Sequence, residues 1–302
     1  MKPKKKILIV GGTGFIGFHL AKKSLKKGWQ VTSISSRHPK KIRFLKKVKY
    51  IRSDITNKKL LKKSTKDTYD YVVNLGGYVD HSNKKKTFKS HYEGCQNLAQ
   101  IFLEKKISSF IQIGSSLEYG ASKSPQKENI KCNLKSVRSV YGKAKLLSSK
   151  YVINLFKKKK FPSTVIRFYL VYGPKQDINR FIPTIINGCL KNKKFPTSDG
   201  SQLRDFLYID DAIRAIIMCL ENKKSRGQIL NIGTGKPKLI KKVIQMVKKV
   251  SKGGKPQYGM FKLRKFDIPK LYPNINKVKN KIKWSPKVSF EKGIKITVRD
   301  FK

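Results

Sequence analysis

Cysteines, acidic side chains and long apolar runs are all scarce in this sequence. The four cysteines, Cys95, Cys132, Cys189 and Cys219, lie far apart and form no CxxC pair. This excludes a disulfide-dense secreted scaffold and a thiolate zinc site of the usual spacing. No stretch reaches the roughly 18 consecutive apolar residues of a membrane span, so none is predicted. Because 38% of the 302 residues are hydrophobic, an all-disordered chain is excluded as well.

The shortage of acidic residues leaves a very large positive charge. Only 17 Asp and Glu oppose 71 Lys and Arg, which gives a formal net charge of +54. Such a charge raises the possibility of nucleic-acid binding, because neutralising phosphates drives that binding. However, 60 of the basic residues are Lys, spread over the whole chain in runs such as Lys84–Lys86 and Lys157–Lys160. A nucleic-acid face more often uses Arg, whose planar fork matches phosphate and guanine. We therefore expect a solvated basic surface that attracts anionic substrates, and no nucleic-acid partner.

The first residues imitate the basic and apolar parts of a signal peptide. The apolar run Ile7–Val10 ends after four residues at Gly11-Gly12, and no small-residue cleavage site follows. We interpret this run as a buried first strand and expect a cytoplasmic protein.

Short apolar runs alternate with longer amphipathic stretches through the first 170 residues. Strands are predicted at Ile7–Val10, Val31–Ile34, Tyr71–Leu75, Phe110–Ile113 and Thr164–Phe168, and helices near Gly14–Lys27, His91–Lys105 and Val140–Phe156. This alternation predicts an α/β protein with a doubly wound parallel sheet. The later pattern is irregular, with isolated strands predicted at Leu203–Ile209 and Gln228–Ile232 and helices at Asp211–Glu221 and Leu239–Val250.

A glycine-rich turn directly follows the first predicted strand. In the spacing Gly11-x-x-Gly14-x-x-Gly17, the first glycine makes the tight turn and the second lets backbone N–H groups approach a pyrophosphate. The third lets the helix pack close to the strand, and the helix N-terminus supplies a positive dipole. The residues assigned to cofactor binding in this loop are Gly11, Thr13, Gly14, Phe15, Ile16 and Gly17.

The loop identifies a dinucleotide-binding Rossmann domain, which we place at residues 1–168. Residues 169–302 are then a smaller C-terminal domain, mainly substrate-binding, with segments that return to the first domain near 203–235.

The end of the second strand bears on which dinucleotide binds. An acidic residue there usually bonds the ribose 2′-hydroxyl of NAD, but the expected position holds Ser35, and Arg37 follows. A missing acid with a nearby Arg favours NADP, with NAD as the alternative. After the third apolar segment, Asp54 could bond an adenine amino group with Ile55 beside it, or Asp54 could simply stabilise a turn.

Three residues predict chemistry at a carbonyl group. Tyr141 and Lys145 lie four apart, on one face of a helix. A nearby ammonium lowers the pKa of a phenol, and the lysine can also bond the cofactor ribose. Ser115 follows the strand Phe110–Ile113, and a hydroxyl at the carboxyl end of a strand lies at the crevice of an open sheet. Together they can polarise a carbonyl and move its proton, as hydride transfer at that carbon requires.

With these motifs, nearly the whole chain resembles an extended short-chain dehydrogenase/reductase of the NAD-dependent epimerase/dehydratase family, which acts on nucleotide sugars. The motifs that carry the resemblance are Gly11–Gly17, Ser115–Gly120, Tyr141–Lys145, Arg167 with Val171–Pro174, Arg204–Phe206 with Tyr208–Asp211, Asn231–Gly235 and Trp284–Pro286.

The resemblance implies a role for each matching residue. Ser115 is the catalytic hydroxyl, Tyr141 the general acid/base and Lys145 its partner. The implied substrate is a nucleoside-diphosphate sugar. Arg204 is expected to bind its diphosphate or ribose, and Asn179–Pro183, which includes Arg180, to line the pocket. Ser116 is expected to be a further substrate contact. Gly76 and Gly77 form a backbone turn beside the cofactor.

The resemblance also implies a homodimer. Its interface would be a four-helix bundle formed by the helices near His91–Lys105 and Val140–Phe156. The apolar residues expected on their faces are Leu98, Phe102, Leu147, Tyr151 and Leu155.

Several positions depart from the family pattern. Family 4,6-dehydratases have an Asp-Glu pair directly after the catalytic hydroxyl, where this chain has Ser116 and Leu117. Glu118 comes one residue later and, in an extended segment, would face the other side. Leu170 and His91 stand where the family often has Asn. At Leu170 one substrate hydrogen bond is lost or replaced, whereas His91 either contacts the catalytic region or simply lies at the entry to a helix. The remaining histidines, His19, His38 and His81, have no spacing that suggests a metal, so none is expected.

These observations favour an NADP-dependent oxidoreductase that transfers a hydride at C4 of a nucleoside-diphosphate 4-keto sugar. The alternative is a 4-epimerase similar to UDP-glucose 4-epimerase, which uses tightly held NAD. A 4,6-dehydratase and a non-enzymatic RNA-binding relative are the lesser alternatives.

Overall fold

The computed structural model describes residues 3–80, 82–262 and 268–302. The strands of this part of the chain are β1 (Lys6–Val10), β2 (Gln30–Ser35), β3 (Val48–Arg52), β4 (Tyr71–Asn74), β5 (Ser109–Ser115), β6 (Ser163–Phe168), β7 (Leu170–Tyr172), β8 (Lys194–Pro196), β9 (Leu203–Arg204), β10 (Phe206–Tyr208), β11 (Ile229–Ile232), β12 (Lys238–Leu239), β13 (Lys255–Gln257) and β14 (Lys270–Leu271). Its helices are α1 (Phe15–Lys26), α2 (Lys58–Ser64), α3 (Lys84–Phe88), α4 (Gly94–Leu103), α5 (Val140–Lys159), α6 (Phe181–Leu190), α7 (Ile209–Glu221), α8 (Ile240–Ser251), α9 (Asn276–Ile282) and α10 (Phe290–Phe301).

A seven-stranded parallel sheet forms the centre of the fold, in the order β11-β6-β5-β4-β1-β2-β3. Alternate side chains of a strand point to opposite faces, and β1 divides its apolar residues accordingly. Ile7 and Ile9 belong to one hydrophobic cluster, whereas Leu8 and Val10 belong to another. Since helices cover both clusters, the predicted doubly wound α/β fold of the Rossmann type is confirmed.

The predicted strands of the first 170 residues are all present, and the later ones need correction. Gln228–Ile232 does not form an isolated strand, because β11 pairs in parallel with β6 and completes the central sheet. Leu203–Ile209 is split between two small sheets, since β9 pairs with β12 and β14 while β10 pairs with β7. The division at residue 168 stays a prediction.

The helix predicted to start near His91 begins earlier. A π-helical turn over Lys89–Glu93 joins α3 directly to α4. His91 is therefore a buried residue inside a long helical segment and does not lie at a helix entry.

Two aspartates of the later motifs hold the C-terminal elements together. Asp205 is fully buried and accepts hydrogen bonds from the backbone and the hydroxyl of Thr234, both at 2.8 Å. Asp211 accepts from Arg214 at 2.7 Å and from the backbone of Lys287 and Val288. These motif positions therefore stabilise the fold through buried, charge-assisted hydrogen bonds.

No helix in the described part of the chain is long and apolar enough to cross a membrane.

Candidate functional site

The glycine-rich loop between β1 and α1 leaves space for a phosphate group. A Cβ at Gly17 would lie 2.4 Å from the Gly11 carbonyl oxygen and 2.6 Å from the Cα of Gly12, so only glycine lets α1 pack this closely. A Cβ at Gly14, in contrast, would meet only the Gly11 oxygen, at 3.3 Å. Gly11 has φ of +80°, a region that favours glycine. The cradle at the start of α1 therefore fits a dinucleotide pyrophosphate.

Two side chains at the end of β2 border this cradle. The Ser35 hydroxyl accepts a hydrogen bond of 3.4 Å from the backbone N–H of Thr13, in the loop itself. Arg37 is exposed two residues later. The position where NAD-binding folds place an acid therefore holds a neutral hydroxyl, with a solvent-accessible cation close by.

The loops after β3 and β4 form the neighbouring wall. Asp54 stabilises a turn, since its Oδ1 accepts from the backbone N–H and the hydroxyl of Thr56, at 2.8 and 2.9 Å. The Ile55 side chain is buried, and a Cβ added at Gly76 or Gly94 would come within 3.0 Å of it. The adenine contact of Asp54 stays a prediction, while the Ile55 side chain lies in the core.

Ser115 and Tyr141 meet where β5 ends and α5 begins. Ser139 caps α5 by accepting from the backbone of Gly142 at 3.0 Å. A Cβ at Gly142 would lie 3.0 Å from the Leu117 carbonyl, so this glycine lets the first turn of α5 approach the residues after Ser115. Burial raises the pKa of Tyr141 to about 12, and the neighbouring Ser115 hydroxyl lowers it by a smaller amount. Arg180 adds a smaller lowering effect through its charge.

Lys145 lies one turn further along α5 and is almost fully buried. Its ammonium donates a 2.7 Å hydrogen bond to the Ile113 carbonyl of β5 and lies 5.8 Å from the centre of the Tyr141 ring. Burial lowers its pKa to about 8, against the opposing negative charge of Glu118. The structure thus brings Ser115, Tyr141 and Lys145 together as expected, although burial and not Lys145 dominates the pKa of the phenol.

Of the two interpretations of His91, the structure supports contact with the catalytic region, because His91 is a neighbour of Tyr141. Its ring contacts the Tyr141 ring edge-on at 4.9 Å, and its Nε2 lies 3.2 Å from the Tyr78 carbonyl. A Cβ at Gly77 would lie 1.8 Å from the imidazole, so this glycine is required for the contact. The family's usual Asn at this position was the signal that could have identified it.

Glu118 does not lie in an extended segment as its sequence position suggested. Residues Ser116–Tyr119 form a 3-10 turn, and the Glu118 carboxylate is fully buried beneath it. One oxygen accepts from the backbone of Ser115 and the other from Arg167, both at 2.8 Å. Glu118 is therefore occupied inside the protein and is not available as an acid or base for a sugar.

The residues assigned to the substrate lie in different elements. Ser116 is buried in the 3-10 turn, and Arg180 is an exposed residue at the N-terminus of α6. Arg204 lies on β9, where it donates to the carbonyls of Leu203 and Pro269 at 3.0 and 3.2 Å. Leu170, at the position of the family's Asn, is 39% exposed at the start of β7. The contacts of Ser116, Arg180 and Arg204 with the substrate therefore stay predictions.

The residues expected at a dimer interface must be revised. Leu98, Phe102 and Leu155 are buried within this chain, in the cluster between the sheet and helices α4 and α5. Only Leu147 and Tyr151 remain half-buried on α5. Helical spacing revealed an apolar stripe, but most of it is covered by the chain's own sheet.

Within the described residues there is no group of three or more His, Cys, Asp or Glu side chains that could hold a metal. His19 instead hydrogen-bonds the Pro174 carbonyl at 2.9 Å, and His38 is exposed. His81 lies outside the described residues.

Comparisons with known proteins identify the family and similar folds. The family described as the NAD dependent epimerase/dehydratase family matches residues 7–233. The UDP-N-acetyl-alpha-D-glucosaminuronate decarboxylase of Bacillus cytotoxicus is 26% identical, over 99% of this chain and 98% of its own length. The structure of UDP-glucose 4-epimerase from Thermotoga maritima with UDP-glucose is 25% identical, with a TM-score of 0.91 and 98% of both chains covered. That of UDP-glucuronic acid 4-epimerase from Bacillus cereus, with UDP-glucuronic acid and NAD, is 27% identical, with a TM-score of 0.86 and the same coverage.

Proposed function

The chain belongs to the NAD dependent epimerase/dehydratase family, and we propose that it transfers a hydride between NADP and C4 of a nucleoside-diphosphate 4-keto sugar. The observation that carries the proposal is the grouping of three residues: the Ser115 hydroxyl is close enough to act on the pKa of Tyr141, and the Lys145 ammonium lies 5.8 Å from the centre of the Tyr141 ring. Two hydroxyls so placed can both bond one carbonyl oxygen, which polarises the carbonyl carbon toward hydride addition.

Each of the three residues has a distinct task. Ser115 holds the C4 oxygen, and Tyr141 donates the proton that this oxygen takes up when the carbonyl becomes an alcohol. Lys145 stabilises the negative charge that remains on Tyr141 after it has given up its proton. The dinucleotide, when bound in the Gly11–Gly17 cradle, supplies the hydride.

At a pKa of about 12, the Tyr141 phenol is protonated at neutral pH, as an ordinary phenol also is, and it can act as an acid toward a carbonyl oxygen. This property fits both candidate reactions, because the 4-keto sugar formed in an epimerisation is reduced by the same step.

The preference for NADP rests on the end of β2. Ser35 offers a hydroxyl in place of the acid that would repel a 2′-phosphate, and Arg37, two residues further along, is exposed and available to pair with that phosphate. The Bacillus cereus neighbour holds NAD, so NAD remains the alternative.

The substrate proposal rests on charge and on the neighbours. The positive charge of Arg180 slightly lowers the pKa of Tyr141, which supports the proposal that this cation attracts the sugar nucleotide. The net charge of +54 on the chain would attract the negatively charged diphosphate of such a substrate. Because both solved neighbours are described with UDP-sugars, UDP is the nucleotide to test first, with Arg204 as its proposed diphosphate contact. A cytoplasmic location and a homodimer complete the proposal.

A 4-epimerase is the second candidate, since the Thermotoga maritima and Bacillus cereus neighbours carry that activity in their names. Ser115, Tyr141 and Lys145 would serve both reactions. The two differ in whether the cofactor and the product leave after one hydride transfer.

The first experiment is to identify the cofactor. The purified protein is denatured and any released dinucleotide is identified, and if none is released NADPH and NADH are titrated separately. An empty protein that prefers NADPH supports the reductase. Tightly bound NAD would contradict the Arg37 argument and favour the epimerase.

A further inference from the structure

The buried Glu118 carboxylate is joined directly to the backbone of Ser115. Its Oε1 accepts a 2.8 Å hydrogen bond from the Ser115 N–H, while the Ser115 hydroxyl oxygen accepts from the Leu117 N–H at 3.2 Å. This reciprocal pair is a capping box, which fixes the first residue of a helical turn from both sides. The turn that follows Ser115 therefore holds the serine at the end of β5.

The second oxygen of Glu118 is held from the adjacent strand. Arg167 on β6 donates its Nε–H to Oε2 at 2.8 Å, and the two side chains are 2% and 0% exposed. The Arg167 guanidinium in turn lies 4.4 Å from the centre of the Tyr119 ring. Both carboxylate oxygens are thus occupied, and the group has little freedom to move.

The strand leaves a space of the right size for this carboxylate. Gly114 precedes Ser115 on β5, and a Cβ at Gly114 would lie 2.3 Å from Glu118 Oε1 and 3.2 Å from the Arg167 Cγ. Gly114 is also the register partner of Arg167 across the two strands. Gly114, Arg167 and Glu118 therefore pack closely together. This packing holds the Glu118 Oε1 atom where it accepts from the Ser115 N–H.

We propose that Glu118 is a positioning residue for the reaction, which acts through Ser115. Its carboxylate, anchored by Arg167, fixes the Ser115 backbone and thereby keeps the serine hydroxyl within hydrogen-bonding reach of Tyr141. The inference rests on the proposed function of Ser115 and Tyr141, and it adds a fourth side chain that never touches the sugar. A small displacement of a catalytic group can cost about 100-fold in rate, so this support is expected to matter.

A pair of double variants separates this role from a merely structural one. Glu118→Gln with Arg167→Met keeps an acceptor oxygen for the Ser115 N–H and removes the ion pair. Glu118→Met with Arg167→Met also removes the ion pair, with a side chain of the same length, but leaves the Ser115 N–H without an acceptor. Replacing both partners of a buried ion pair by residues of similar volume is often tolerated, so both variants are expected to fold.

The expected result is a difference in kcat between the two double variants. The Gln variant should turn over about 10- to 100-fold faster than the Met variant, with KM values for the nucleotide sugar within about threefold of each other. A second readout needs no substrate: the 13Cζ signal of Tyr141, identified by its loss in Tyr141→Phe, reports the hydrogen bond to Ser115. The chemical shift of this signal should differ from its wild-type value in the Glu118→Met/Arg167→Met variant. In the Glu118→Gln/Arg167→Met variant it should lie closer to the wild-type value.

Equal kcat values and equal Tyr141 signals in two folded double variants would overturn the proposal and leave the ion pair with a structural role alone. Failure of the proposed function would look different. The wild-type protein would then reduce no 4-keto sugar nucleotide, while the Tyr141 signal would still decide whether Glu118 positions Ser115.

Discussion

Alanine at Gly17 and at Gly14 should separate the two requirements of the glycine-rich loop, close helix packing and access for a phosphate. At Gly17 the new methyl group would lie 2.4 Å from a carbonyl oxygen and 2.6 Å from a Cα. Both contacts are with backbone atoms, which cannot rotate away as a side chain could. Overpacking lowers folding stability by roughly 1–3 kcal/mol, and here we expect the upper end of that range. Alanine regains up to about 1 kcal/mol in the interior of a helix, which leaves a loss near 2 kcal/mol. At about 2–4 °C per kcal/mol, Tm should fall by roughly 4–8 °C.

The Gly14→Ala variant is the matched control, with the opposite expected result. Gly14 caps α1 with an ordinary negative φ of −77°, and its new methyl group would approach only one oxygen, at 3.3 Å. Tm should therefore fall by only about 1–4 °C, less than in Gly17→Ala, because alanine is about 0.5–1 kcal/mol worse than glycine at an N-cap. The methyl group would occupy the space that a phosphate needs, and loss of one charge-assisted hydrogen bond of about 1.5–3 kcal/mol weakens binding roughly 10- to 100-fold.

Differential scanning fluorimetry measures the two Tm values, and a fluorescence titration with NADPH and NADH measures binding. Wild-type affinity for both dinucleotides in Gly14→Ala would refute the assignment of the loop to phosphate binding. An unchanged Tm in Gly17→Ala would refute the packing argument.

Three further predictions concern the catalytic residues and the assembly. Tyr141→Phe should abolish turnover with Tm almost unchanged, and retained activity by a coupled NADPH assay would remove Tyr141 from its proposed role. Because burial lowers the pKa of Lys145 to about 8 and the reaction uses its ammonium form, kcat/KM should decline as the pH rises through about 8; a flat profile to pH 10 would contradict this. Light scattering after size exclusion should report a homodimer of the 34.7 kDa chain, favoured by salt because screening weakens the repulsion between two +54 chains; a monomer at micromolar concentration in high salt would refute it.

Local patterns in the sequence were sufficient for the sheet strands of the first 170 residues that we predicted and for the grouping of Tyr141 with Lys145. The buried strands were recognisable as apolar runs, and the four-residue spacing of Tyr141 and Lys145 requires only a helix to put both on one face. The approach of Ser115 depends on Gly142 at the start of α5, which is part of the same recognisable motif.

The features that the local sequence patterns did not predict depend on contacts between elements that are distant in the chain. The strand at Ile229–Ile232 joins the central sheet because β6 has a free edge there, which no local pattern reveals. Leu98 and Phe102 form an apolar stripe at helical spacing, but the spacing does not tell whether a sheet or a second chain covers it. The prediction for Glu118 assumed an extended backbone. Residues Ser116–Tyr119 instead form a 3-10 turn, in which the Glu118 carboxylate points into the protein.

Isotope transfer tests the central claim most directly. The protein is incubated with NADPH carrying deuterium at the transferable position of the nicotinamide and with a UDP-4-keto sugar, and the product is analysed by NMR. We expect one deuterium at C4 of the product sugar, with stoichiometric oxidation of NADPH and no transfer in Tyr141→Phe. Interconversion of C4 epimers of a UDP-sugar with no net oxidation of NADPH, and no deuterium in the product, would contradict the proposed reduction and establish the epimerase instead.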